Sequence, residues 1–93
     1  MYLHLGQDTV VLQDDILGIF DIETATVARA TRQYLASATQ QGKVINVSLE
    51  MPKAFIVCQP WKEKSVAKIY ISQVSTATLK KRKKVTDLLK SIL

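Results

Sequence analysis

Lys80-Lys81-Arg82-Lys83-Lys84 limits what this chain can fold into more than any other stretch. Successive residues of an α-helix are turned by about 100°, so five in a row encircle it. No face of that turn can then be buried in an apolar core, and the segment must stand out from the body of the protein. The residues before it describe the entry. Ile69 and Ile71 alternate with Lys68, Tyr70 and Ser72, the period of a strand with two distinct faces. Ser75 or Thr76 then offers a side-chain oxygen to cap the first free amides of a helix. Like charges three and four residues apart repel by a few tenths of a kcal/mol each, and no carboxylate occurs between Glu63 and Asp87 to relieve them. A solvated face that aids solubility would do better with mixed signs. The run points to a nucleic acid or another polyanion.

Charge is polarised along the chain. Residues 1–46 hold five acids and three bases, while residues 47–93 hold three acids and ten bases, so the halves carry −2 and +7. One face is therefore expected to meet an anionic partner. Ninety-three residues make one small domain, and a hydrophobic content of 47 % is too high for general disorder. The apolar runs are too short to span a bilayer, and MYLHLGQDTVVL has neither the basic nor the continuous apolar part of a secretory signal. The single cysteine, Cys58, lies in an apolar run and reads as a small core residue; a reducing cytoplasm is the expected compartment.

Tyr2–Leu5 alternates, Gly6-Gln7-Asp8 signals a turn, and Thr9–Leu12 resumes the extended pattern, which predicts a hairpin. Ile16–Ile22 is a third strand, apolar on both faces, with Gly18 marking a bulge or a close backbone approach. Thr24 or Thr26 is the expected cap of a first helix, along which Val27, Ala30, Tyr34, Leu35 and Ala38 form an apolar stripe for the sheet to bury. Arg29, Arg32 and Gln33 fall off that stripe, and Gly42 is a natural stop. Val44–Val47 is a short strand, Lys53–Cys58 the central one, and Gln59–Ser65 a hairpin loop whose Trp61, beside Lys62 and Lys64, could stack on a base.

These elements predict an α+β fold: a small, mostly antiparallel β-sheet with one internal helix packed on it and a basic C-terminal helix. Residues 1–79 form the single domain and residues 80–93 continue from it as that helix. One helix covers only one face of a sheet whose strands are apolar on both. The other face needs the C-terminal helix or a neighbouring copy. Val85, Leu88, Leu89 and Ile92 make a narrow stripe at i, i+3, i+4, i+7, while Leu79 falls about 120° from Val85 and is placed to anchor the helix root. Self-assembly through the distal stripe is the expectation, weighed against a helix folded back on its own domain.

An enzyme is the least supported class. One histidine and one cysteine leave a metal site little to be built from, and three scattered glycines show no phosphate-cradling loop, so neither metal nor cofactor nor small-molecule substrate is expected. Asp14 and Asp15 are adjacent and would diverge on an extended backbone, and His4 reads as an edge residue of its strand.

The segments YLHLGQDTVV, ILGIFDIE, PKAFIV and KIYISQVSTATLKKR, in that order from Tyr2 to Arg82, resemble the small bacterial extracellular-matrix regulators of the RemA/RemB type, and more closely the RemB branch. The resemblance implies a DNA-binding transcriptional regulator of biofilm-matrix genes that forms a ring-shaped homo-oligomer, with basic residues on its rim contacting double-stranded DNA. It also implies a displacement of those contacts. RemA-type members carry an arginine cluster where this chain has Glu50, Met51, Pro52 and Lys53, so only Lys53 keeps the charge; a further arginine of that branch pairs with Asp15. The expected nucleic-acid contacts are therefore Lys53, Arg29, Arg32 and Lys80, Lys81, Arg82, Lys83 and Lys84. Lysines act as point charges on phosphate and carry little sequence information. Salt-sensitive binding of low sequence specificity follows. A ring that docks a protein partner through its basic helix is the second reading, and a basic helix lying on anionic lipid the third.

Overall fold

The computed structural model describes residues 1–60 and 67–92, apart from the side chain of Lys90; Trp61, Lys62 and Lys64 lie outside the described residues. Ten elements follow one another: β1 (Tyr2–Gly6), β2 (Thr9–Leu12), a 3-10 turn (Gln13–Asp15), β3 (Ile16–Asp21), α1 (Ile22–Ala25), α2 (Arg29–Gln40), β4 (Val44–Asn46), β5 (Ala54–Cys58), β6 (Lys68–Ser72) and α3 (Thr76–Ile92). The fold is α+β, as the pattern of the sequence implies.

Among the described residues two sheets are present rather than one. β1 and β2 form an antiparallel hairpin by themselves, and the other strands form a sheet in the order β3-β5-β6-β4. β5 is interior, as its unbroken apolar run requires. β3, β5 and β6 are antiparallel neighbours, whereas β4 joins the edge parallel to β6. Gly18 lies at the register shift between β3 and β5. A Cβ there would sit 2.5 and 2.6 Å from ring atoms of Phe20, so the expected bulge is present, and the group close to this glycine is a ring rather than another backbone. The Phe20 ring in turn stacks on Phe55, with centroids 5.0 Å apart.

Side chains alternate across β5. Ala54, Ile56 and Cys58 face one cluster, with Leu3, Leu5, Val11, Val47 and Leu79; Phe55 faces the other, with Ile69 and Ala38. The first face is covered mainly by the β1–β2 hairpin, with the root of α3 beside it. The sequence pattern assigns that role to the C-terminal helix or a second copy; the hairpin takes most of it, and Leu79 of α3 shares in it. Ser72, fully buried, fastens the lid: its hydroxyl donates to the Leu5 carbonyl and accepts from the Val74 amide at 3.0 Å.

The second face is covered less completely. Asp21, not Thr24 or Thr26, caps the first helical turn, accepting from the Thr24 amide at 3.1 Å, and that turn ends after Ala25. α2 then starts afresh at Arg29 without a side-chain cap. Val27 falls in the break, and the expected stripe is not buried as a unit. Ala38 is 5 % exposed, but Tyr34 is 47 % and Val27, outside the helix, 76 % exposed. At the far end Gly42, at φ +71°, closes α2: its amide donates to Thr39 and that of Lys43 to Ala38, the reciprocal pair of a Schellman cap.

Candidate polyanion-binding surface

α3 leaves the end of β6 with Ser75 as its cap, whose hydroxyl oxygen accepts from the Thr78 amide at 3.2 Å. One turn later Leu79 is wholly buried against the hairpin and β5, which fixes the rotation of the helix. Counting about 100° per residue from Leu79, Lys80, Lys81 and Lys84 fall at about 100°, 200° and 140°. They point away from the body, and all three are exposed. Lys83, at about 40°, and Arg82, at about 300°, turn toward it instead.

These two cations are engaged within the chain. The Arg82 guanidinium donates to the His4 carbonyl of β1 at 3.0 Å. Lys83 pairs with Asp87 at 3.2 Å, one turn on, and the same carboxylate accepts from the side-chain amide of the buried Gln13. A helix turn carrying five cations thus has an inner side after all, built from a backbone carbonyl and one carboxylate rather than from apolar atoms. Three lysines remain on its outer side.

The other expected contacts are not gathered into the same patch. Lys53 is exposed at the start of β5; its amide donates to the Ser72 carbonyl and its carbonyl accepts from Ile22, so it shares the sheet end from which α3 departs. Arg29 and Arg32 belong to α2, on the opposite face of the sheet. Arg32 is also occupied locally, donating to the carbonyls of Thr26 and Val27 at 2.7 and 2.8 Å across the α1–α2 break.

Beyond the lysines, Val85, Leu88, Leu89 and Ile92 are 57, 56, 46 and 77 % exposed. Val85, Leu88 and Ile92 fall between about 180° and 240° from Leu79, on the outer side of α3. The distal stripe does not fold back on its own domain. Among the described residues no group of three or more His, Cys, Asp or Glu is placed to hold a metal ion, and no helix is long and apolar enough to cross a membrane.

The family model described as extracellular matrix regulatory protein A-like matches residues 2–82. The chain belongs to that family. Extracellular matrix regulatory protein B of Bacillus subtilis (strain 168) is 39 % identical to it over 82 residues, covering 88 % of this chain and 89 % of the relative. The resemblance seen in the sequence is thereby established. The family match ends inside the cation run, so Lys83, Lys84 and the distal stripe lie beyond it.

Proposed function

We propose that this chain is a non-enzymatic, oligomeric DNA-binding regulator of extracellular-matrix genes in the cytoplasm, which grips duplex phosphates through Lys80, Lys81 and Lys84. The observation that carries the reading is the placement of these lysines on the outer side of a helix whose root is buried. Leu79 and the Arg82–His4 contact hold α3 against the hairpin, and Lys80, Lys81 and Lys84 are exposed on its outer side. Kinship with a protein named for matrix regulation supplies the biological class. Lys53, at the same end of the sheet, extends the basic surface. Arg29 and Arg32, on the other face, would meet DNA only if it wraps an assembly of several copies.

Three point charges per protomer bind weakly and without sequence reading. Several copies on one rim multiply the contact by effective concentration. The exposed distal stripe is the surface that assembles them. A mobility-shift titration with duplex DNA tests the proposal. Replacing Lys80, Lys81 and Lys84 together by Ala should remove the shift at moderate salt and leave the assembled mass unchanged. A shift that survives that change would place the DNA contacts elsewhere.

A second reading draws on the same exposure: an apolar stripe beside outward lysines is also how a helix lies on anionic lipid. Flotation with anionic vesicles distinguishes it, since a DNA-binding assembly should stay with the unbound fraction.

A further inference from the structure

An apolar groove of about 370 Å³ opens on the α2 side of the sheet, lined chiefly by Leu17, Phe20, Ala30, Tyr34, Phe55 and Val57. It lies where α2 leaves the second face of the sheet half covered. Leu17 is 69 %, Phe20 43 % and Tyr34 47 % exposed, three large apolar side chains gathered around one opening. We infer that this groove is the seat for the distal stripe of α3 from a neighbouring copy, docked head to tail. The inference rests on the assembly proposed above and names its two surfaces.

Several observations select this occupant. The stripe cannot reach the groove within one chain. Leu79 fixes α3 among the residues of the hairpin side, whereas Phe55 and Val57 of the groove face the other side of β5. The spacing i, i+3, i+4, i+7 of Val85, Leu88, Leu89 and Ile92 is the set of anchors with which a helix fills an apolar groove. Charge argues against the obvious rival, stripe against stripe across a twofold axis. α3 carries six cations and one carboxylate, so two such helices in contact would oppose like charge along their length. The groove lining is uncharged, and the elements around it balance Asp21 and Glu23 against Arg29 and Arg32. A basic helix can settle there without repulsion. Two different patches in contact make a heterologous interface, which propagates from copy to copy and closes into a ring if the rotation allows.

Complementary variants test the geometry. In one, Leu88→Ser and Leu89→Ser spoil the stripe; in the other, Leu17→Glu and Ala30→Glu spoil the groove. All four positions are exposed, so both protomers should keep the wild-type circular-dichroism spectrum. By light scattering after size exclusion each variant alone should be monomeric. An equal mixture should form a heterodimer and nothing larger, because one intact stripe then meets one intact groove. A groove variant with wild-type mass, or a mixture that remains monomeric while the wild type assembles, would overturn this inference and leave the assembly itself standing. A monomeric wild type would overturn both.

Discussion

At the scale of single residues, side chains of one type divide between holding the fold and facing solvent according to what lies opposite. Arg82 and Lys81 are sequence neighbours, yet one reaches a main-chain carbonyl of β1 and the other lies exposed on the outer side of α3. That division cannot be seen in the run itself, because it depends on where a strand some eighty residues earlier comes to rest. Cys58 is the opposite case, legible from its apolar neighbours alone. It is 2 % exposed, and its thiol is pushed up from an ordinary value of 9.0 to about 11, by burial first and the Asp15 carboxylate second. The neutral thiol is the form the core tolerates. Below pH 9 the thiol is neutral whether the chain is folded or not, so this contribution to stability is complete there. As pH rises from about 9 to about 11 the unfolded chain ionises first, and the contribution, on the order of 2 kcal/mol, is lost. Denaturant unfolding across that window should therefore show a fall that Cys58→Ala flattens. The variant itself should begin about 1 kcal/mol less stable for the methyl-sized gap it leaves. An unchanged slope in Cys58→Ala would assign the alkaline loss to other groups.

At the scale of elements, local signals were readable and long-range docking was not. The hairpin turn, the bulge at Gly18, the stop at Gly42 and the interior place of β5 each follow from a few adjacent residues, and each is found. The hairpin's service as a lid is different. It depends on Ser72 meeting the Leu5 carbonyl, sixty-seven residues apart, a contact no periodicity encodes. The parallel β4–β6 pair is non-local in the same way. The cap of the first helix is Asp21 for a local reason, since at the strand end it competes successfully with Thr24 and Thr26. For the candidate site, the cation run, the anchor Leu79 and the unburied distal stripe were all legible; the inward turn of Arg82 and Lys83 was not. Leu79 decides whether α3 is an element of the domain or a loose tail. It is wholly buried, so Leu79→Ala should cost about 2–5 kcal/mol. In a domain of this size that lowers the thermal midpoint by roughly 10 °C or more. Thermal scans by circular dichroism check this, and a midpoint within 3 °C of wild type, or about half a kcal/mol on the same scale, would mean that the helix root is not seated as described.

At the scale of the whole molecule, assembly and polyanion binding become one quantity that salt can read. Each phosphate neutralised on duplex DNA contributes about −0.9 to the slope of log K against log salt. A lone protomer with three outward lysines should then show a slope of about −3, and a rim on which several copies touch the same duplex should show a multiple of it. The variant Leu88→Ser with Leu89→Ser leaves every cation in place and removes only the means of repetition. Its slope should drop to the single-protomer value, and its affinity at moderate salt should fall by at least 100-fold, the lower end of the usual gain from multivalency. Fluorescence anisotropy of a labelled duplex over a salt series measures both numbers on one sample. Equal slopes for the variant and the wild type would mean that each protomer binds alone, and the rigid seating of α3 would then serve a partner other than DNA.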